Sequence, residues 1–351
     1  MNILSLFDGM SCGQIALERA GIHVNNYFAS EIDKWSISVT QRHYPNTVQL
    51  GNVLEWKTWK LPNIDLLIGG SPCQGFSNAG KGLNFEDPRS KLFFVYVDIL
   101  RHLKSKNSKL NFLLENVRMK KEWQDIITKE LEVEPRIIDS ALVSAQSRKR
   151  IYWTNWKFSE PEDKYIYLKD IVEDGEVDRA KDFALDANYH KGSNYHNYFE
   201  KSRRQIVFQG AAIRNQITKR GVEEQLNVRK DEKSNCIVPS YPNKLNGCIQ
   251  VGMASNIRGK DQWRRIYSIS GKSPTVVGSG GGHHEPKIAL DKRRYRKLTP
   301  LECERLQTVP ERYTENVSNT QRYKMLGNGW TVDVIAHIFK QMPTVQKLDT
   351  S

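Results

Sequence analysis

The sequence predicts an α/β protein: a mostly parallel, doubly wound sheet carrying a second, smaller domain of mainly β or irregular structure. Three observations predict it. Short apolar runs alternate with amphipathic helical stretches through residues 1–157, and alternating β and α segments make a parallel sheet with helices on both faces. From 188 to 290 that rhythm gives way to short strand-like pieces among scattered Asn, Gly and Ser. Helical patterning then resumes near the C-terminus, so the α/β domain is interrupted by the second one rather than followed by it.

In chain order, the runs at 3–7 (ILSLF), 64–68 (IDLLI) and 110–114 (LNFLL) are bounded by Gly, Pro or Asn, as fully buried strands are. Weaker strand signals lie at 24–30, 48–53 and 137–143. Residues 90–103 put Leu92, Val95, Tyr96, Ile99 and Leu103 on one helical face, and 119–131 do the same with Trp123, Ile126, Ile127 and Leu131. Residues 158–187 are acidic, with 4 Lys and Arg against 10 Asp and Glu, and read as a connecting segment. Residues 188–292 form a basic insertion in which 278–282 (GSGGG) is a flexible loop by composition. Helical spacing returns at 299–307 and at 331–342, where Val332, Ile335, Ile338, Phe339 and Met342 share a side. The main domain therefore spans 1–157 and 293–351, and no internal repeat is visible.

At 351 residues, with 38% hydrophobic and 26% charged residues, the chain has the composition of a soluble globular protein. No stretch reaches the 18 or so apolar residues of a spanning helix, and the start lacks the basic region of a secretory signal. Five cysteines and no CxxC pair argue against a disulfide scaffold or a structural zinc site, and for a reduced, cytoplasmic compartment. Cys236 and Cys248 are ordinary cysteines on this pattern, and His283-His284 a polar loop. The net charge of +13 is concentrated: residues 188–297 hold 22 Lys and Arg against 8 Asp and Glu. A solvated basic face or a phosphate-backbone contact both account for that surplus. Gly271-Lys272-Ser273 lacks the earlier glycine of a phosphate-binding loop, since Ile266 stands there.

Chemistry concentrates where the strands end, because ligands of such sheets bind at the carboxyl ends of the strands. The first strand runs into Phe7-Asp8-Gly9-Met10-Ser11-Cys12-Gly13, whose glycines are four apart and so do not form the pyrophosphate-binding GxGxxG. Glu31 ends the second strand signal, where a carboxylate accepts from ribose hydroxyls. A ribose acid without a pyrophosphate cradle suits an adenosyl ligand such as S-adenosylmethionine; a glycine needed only for a tight turn leaves the same trace. The next strand ends in Gly69-Gly70-Ser71-Pro72-Cys73-Gln74-Gly75-Phe76-Ser77. A lone cysteine is usually a small buried hydrophobe, but this one sits in a Gly- and Pro-shaped loop where an α/β enzyme places its nucleophile. Glu115-Asn116-Val117 reaches the same edge and offers an acid for a ring nitrogen while the thiol attacks. Gln146-Ser147-Arg148-Lys149-Arg150 offers a grip on a phosphate and a polar base edge.

At these residues the sequence resembles the DNA cytosine-5 methyltransferase family, in its bacterial and phage-borne form. The resemblance rests on the ordered set FDGxSCG, SEID, GGSPCQGFS, ENV, QSRKR, LTPLECERLQ and LGNGW, and covers about 1–157 and 293–342. It implies the class I S-adenosylmethionine-dependent methyltransferase fold, with 188–292 as target-recognition region. It implies methyl transfer to C5 of a cytosine flipped out of a specific short duplex sequence, since neither face of the base is reachable in the stack. No metal is called for. Cys73 would attack C6, Glu115 would contact N3 and the exocyclic amine, and Arg148 and Arg150 would hold the flipped nucleotide.

For the cofactor, the resemblance implies Phe7 on the adenine, Gly9 and Gly13 beside the methionine part, and Asp8, Met10, Ser11 and Cys12 in the same turn. Glu31 would bind the ribose, and Ile32 and Val53 would sandwich the adenine. Pro72, Leu92, Asn328, Gly329 and Trp330 would complete the pocket. Asn52 stands where many relatives carry Asp; a neutral acceptor for the adenine amine implies somewhat weaker cofactor binding. Duplex DNA is the implied partner, contacted by Gln74, Ser77, Arg89 (in the mobile loop after the catalytic turn), Arg203, Arg204, Arg264 and Arg265. Arg293-Arg294 is a further basic pair. No membrane or obligate protein partner is implied, and a cognate restriction endonuclease is left open. A transfer RNA cytosine-5 methyltransferase shares the core motifs, and an inactive DNA-binding homologue is a third alternative; the long basic insertion favours DNA and the intact Cys73, Glu115 and Arg148 favour an enzyme.

Overall fold

The structure, a computed structural model, describes residues 1–71, 88–175, 177–192, 198, 201–209, 214–218, 221–225, 250–253, 265–267, 287–288 and 294–343. The chain falls into two compact units: Met1–Val172 with Arg179–Gln205 and Lys297–Ser351, and Glu173–Asp178 with Ile206–Arg296.

The first unit is built on seven strands: β1 (Asn2–Leu6), β2 (Asn26–Ser30), β3 (Val48–Gln49), β4 (Leu66–Gly69), β5 (Asn111–Val117), β6 (Arg136–Asp139) and β7 (Lys149–Thr154). They lie in the order β3-β2-β1-β4-β5-β7-β6. The first five positions are parallel, with Ile3 beside both Tyr27 and Leu66, and Leu66 beside Asn111. β7 is antiparallel to β5 and to β6. The carboxyl ends of β1, β2, β4 and β5 therefore share an edge with the amino end of β7. The central strands are apolar on both faces because helices cover both faces.

The helices are α1 (Cys12–Arg19), α2 (Lys34–His43), α3 (Pro88–Lys106), α4 (Lys121–Leu131), α5 (Leu168–Ile171), α6 (Pro300–Leu306), α7 (Asn319–Asn328) and α8 (Val332–Lys340). On one face, Phe93, Tyr96, Ile99 and Leu100 of α3 join Leu4, Leu67, Phe112 and Leu114 in the core, each at most 2% exposed. Each such side chain contributes about 1.5–3 kcal/mol of hydrophobic free energy. The C-terminal segment completes the fold. Arg19 of α1 donates to Asp333 of α8 at 2.6 Å, and Trp156 Nε1 donates to Ile338 O at 3.2 Å. α6 begins with a capping box: Glu302 N donates to Thr299 Oγ1 at 3.2 Å, Thr299 N donates to Glu302 Oε2 at 2.7 Å, and Pro300 takes the first helical position.

Some elements differ from the sequence signals. Of 48–53 only Val48 and Gln49 are strand, because Asn52 Oδ1 accepts from Leu54 N at 3.1 Å and starts a 3-10 turn over Val53–Thr58. Likewise 137–143 stops as strand at Asp139, which caps a turn over Ser140–Leu142. α2 and α7 carry too few apolar residues in period to announce themselves, whereas β7 has a buried Ile151-Tyr152-Trp153 run directly behind the basic QSRKR motif. α2 is fixed instead by Asp33, whose side chain accepts from Trp35 N and Ser36 N.

The second unit is β in all its described regular structure. β9 (Arg214–Thr218) and β10 (Gly221–Gln225) form an antiparallel hairpin. β11 (Gln250–Met253), β12 (Arg265–Tyr267) and β13 (Lys287–Ile288) make a three-stranded sheet, and β8 (Ile206–Gln209) pairs with β14 (Arg294–Lys297). Among the described residues, no helix of the chain is long and apolar enough to cross a membrane.

Candidate active site at the carboxyl edge of the sheet

A cavity of about 560 Å³ opens at the carboxyl edge, formed within the first unit. Its size suits a small ligand. The turn after β1 makes one wall. Phe7, Gly9 and Ser11 all have left-handed backbones, with φ of 57°, 60° and 59°. For Phe7 and Ser11 that conformation is strained, a cost of order 1–3 kcal/mol each. The turn is held by hydrogen bonds: Tyr27 donates to Asp8 Oδ1 at 2.7 Å, and Ser11 Oγ donates to Asp8 Oδ2. Burial pushes the Asp8 carboxyl up to about 6, against the donors Ser11, Ser5 and Tyr27, which pull it down.

Glu31 faces this turn. Its Oε2 accepts from Gly9 N at 2.8 Å, while Oε1 accepts from Ile32 N and Asp33 N at 2.7 and 2.8 Å. The carboxylate is thereby fixed in plane with lone pairs to spare. Beside it, Lys324 donates to Asp33 Oδ2 at 2.6 Å. Partial burial raises the Asp33 carboxyl, but Lys324 and the amides of Trp35 and Ser36 outweigh it and hold it below the usual range.

The opposite wall holds Glu115 and Arg150. Glu115 lies across from Tyr152 in the antiparallel register, which places Arg150 diagonally on the same face. Arg150 Nε sits 3.1 Å from Glu115 Oε1, and the two side chains are only 16% and 12% exposed. Trp330 Nε1 donates to Glu115 Oε2 at 3.1 Å. Asn116 points the other way and donates to Ser71 Oγ at 3.2 Å, tying β5 to a residue two places before Cys73.

Arg148 lines the cavity too, but its guanidinium is committed to main chain: it donates to Leu185 O at 2.8 Å and to Gly327 O and Gly329 O at 3.1 Å. Gln146, read in sequence as a grip on substrate, is fully buried. It donates to Leu306 O at 2.7 Å and Gln307 Oε1 at 3.0 Å, and Thr331 Oγ1 donates to that same Gln307 oxygen at 3.0 Å. Gln146, Gln307 and Thr331, one from each of QSRKR, LTPLECERLQ and LGNGWT, are thus joined in a buried polar network.

The cavity gathers Phe7, Asp8, Gly9, Met10, Cys12, Glu31, Glu115, Arg148, Arg150, Asn328, Gly329 and Trp330 of the residues expected there. Other expected residues do not line it. Ser11 is buried in the turn, and Val53 and Leu92 pack with the core. A Cβ at Gly13 would meet Ile68 Cδ1 at 2.6 Å and Tyr27 Oη at 2.8 Å, so this glycine lets α1 settle on the sheet. Asn52 is occupied with capping, and Ile32 stands 76% exposed. Cys12 is a buried thiol that burial pushes up to about 12.

Pro72, Cys73, Gln74, Ser77, Arg264, Arg293, Cys236, Cys248, Lys272, His283, His284 and the 278–282 loop lie outside the described residues, as do the side chains of Arg89, Arg265 and Arg294. Arg89, expected in a loop, stands in the first turn of α3. Arg203 is exposed, whereas Arg204 is tied within the first unit to Asp186 at 3.2 Å and to Gly192 O at 3.0 Å. Sequence reasoning missed Asp33, Lys324 and 184–187 as cavity lining. Asp33 was signalled by its N-cap position, while 184–187 had no signal beyond an acidic stretch.

The chain matches the C-5 cytosine-specific DNA methylase family over residues 1–344. It is 25% identical to the orphan methyltransferase M.Rho11sI of Bacillus phage rho11s, over 97% of each chain. It is 34% identical to the type II methyltransferase M.NgoBV of Neisseria gonorrhoeae, over 50% of this chain and 47% of that one. Among solved structures it resembles a mutant of Spodoptera frugiperda DNMT2, with a TM-score of 0.56 and 18% identity over 97% and 98% of the two chains, a likeness of fold. The chain belongs to the C-5 cytosine-specific DNA methylase family and is an S-adenosylmethionine-dependent DNA cytosine methyltransferase.

Proposed function

We propose that the protein methylates C5 of a cytosine flipped out of a specific short duplex sequence, through a covalent bond between Cys73 and C6. The observation that carries this is the pairing of a ribose-type acid, Glu31, with a base-type acid and cation, Glu115 and Arg150, in one cavity. The residues present fit S-adenosylmethionine. Beside the turn after β1 the lining holds Asp8 and Glu31, which favour a cationic ligand over a phosphorylated one, while Asp33 is paired with Lys324; a Cβ at Gly70 would intrude on Trp330 and Glu115. When bound, the cofactor supplies an electrophilic sulfonium methyl. Phe7, Gly9 and Met10 would hold it, with Glu31 on the ribose hydroxyls.

The chain's own residues do the rest. A cytosine ring is a poor carbon nucleophile. Addition of the Cys73 thiolate to C6 breaks its aromaticity and makes C5 enamine-like. Glu115 meets N3 and the exocyclic amine and stabilises the ring as charge builds there. Arg150 holds the Glu115 carboxylate and faces the same space. After methylation, loss of the C5 proton and then of the thiolate restores the ring. The basic region 188–292 reads the target sequence, and the first unit supplies the chemistry.

Transfer of a radiolabelled methyl group to duplex DNA and to transfer RNA, followed by bisulfite sequencing, tests the assignment. Label at one cytosine of a short recurring DNA sequence is expected. Labelling of transfer RNA alone would replace the substrate, and no transfer to either would leave a binding homologue.

A further inference from the structure

We infer that Trp330 is a positioning residue for the acid at the cytosine ring: its indole N–H holds Glu115 in the orientation that meets the base. The inference rests on the proposed role of Glu115. Two observations carry it. Glu115 Oε2 accepts from Trp330 Nε1 at 3.1 Å while Oε1 is ion-paired with Arg150 Nε at 3.1 Å, so the indole makes the directional hydrogen bond to the carboxylate and Arg150 supplies the charge. With Arg150 alone, the carboxylate could pivot about one oxygen; the indole on the other oxygen fixes its plane.

The indole lies close over two glycines. A Cβ at Gly70 would lie 3.0 Å from its Nε1, and one at Gly13 would lie 3.7 Å from its Cζ3. The ring thus fills the space over two glycines, one after β4 and one at the start of α1. Its main-chain amide also bonds the Cys12 sulfur. With its main chain tied to Cys12 and its ring bonded to the acid, Trp330 couples the place of the acid to the cofactor wall.

A hydrogen bond to a charged group holds about ten-fold or more in an equilibrium. Trp330→Phe keeps a ring and removes the N–H; Trp330→Tyr keeps a ring whose hydroxyl lies on a different line from the indole N–H. Single-turnover methyl transfer is measured for the parent chain, each ring variant, Glu115→Gln, and the double variants, with S-adenosylmethionine affinity measured alongside. The expected result is a roughly ten-fold slower transfer for either ring variant, with cofactor affinity within about three-fold. In the Glu115→Gln background the same replacement should slow transfer by less than about three-fold. Equal slowing in both backgrounds, or an effect wholly in cofactor affinity, would overturn the inference for Trp330. If Glu115→Gln alone left transfer unchanged, the role proposed for Glu115 would fail instead.

Discussion

Two arginines separated by one residue do different work. Arg150 faces Glu115, while Arg148 is buried and bonds three main-chain carbonyls from two segments. Replacing Arg148 by Met leaves buried acceptors unsatisfied, at about 1–3 kcal/mol each. Urea denaturation should show a loss on the order of 3 kcal/mol, and a smaller one for Arg150→Met, because Glu115 opens on the cavity and keeps its Trp330 donor; that variant should slow methyl transfer instead. Equal stability of the two variants would contradict that division. The sequence suggested both arginines as substrate ligands, because residue type and spacing do not reveal which carbonyls a fold leaves open. Asp8 gives a pH prediction. Burial pushes its folded carboxyl up to about 6 from the usual 3.8, so its contribution to stability is full below about 4 and is lost as pH rises through 6. Ionised Asp8 favours a cation in the cavity. The affinity for S-adenosylmethionine relative to its uncharged-sulfur product should therefore rise from pH 5 to 7, and Asp8→Asn should flatten that trend in calorimetric titrations.

At the scale of elements, the parallel strands and the helices α3, α4, α6 and α8 were legible because burial on one or both faces imposes a pattern. α7 was not, since its sequence NTQRYKMLGN buries Tyr323, Met325 and Leu326 amid polar residues. Its end is nevertheless exacting. A Cβ at Gly327 would overlap the main chain of Asp186 and Ala187, and main chain cannot swing aside as a flexible side chain does. Gly327→Ala should cost roughly 1–3 kcal/mol or more and weaken cofactor binding by displacing both walls. Thermal melting and cofactor titration check this; unchanged values would show that the two segments separate without cost. The segment 184–187 was invisible as a wall because its place depends on Arg148 and Gln146, which bond Leu185 from 37 and 39 residues upstream, rather than on its own pattern.

At the scale of the molecule, the charge surplus of 188–297 largely coincides with the second unit, whose described structure is short strands. If that unit grips phosphates at about five to eight points, binding to duplex DNA should fall on the order of 10³-fold between 50 and 200 mM salt. Replacing Arg264 and Arg265 by Ala should flatten the log–log slope by about one or two units. A slope unchanged by that replacement would leave the surface merely solvated. The proposed nucleophile ties these scales together: Cys73 follows two residues after Ser71, which Asn116 holds against β5 beside Glu115. The most direct measurement is mass spectrometry of the protein incubated with S-adenosylmethionine and duplex DNA carrying 5-fluorocytosine at the target, where the fluorine cannot leave as the C5 proton does. The predicted result is a stable DNA adduct on a peptide cross-linked at Cys73, absent from Cys73→Ser. An adduct at another residue, or full turnover by the Ser variant, would contradict the proposed chemistry.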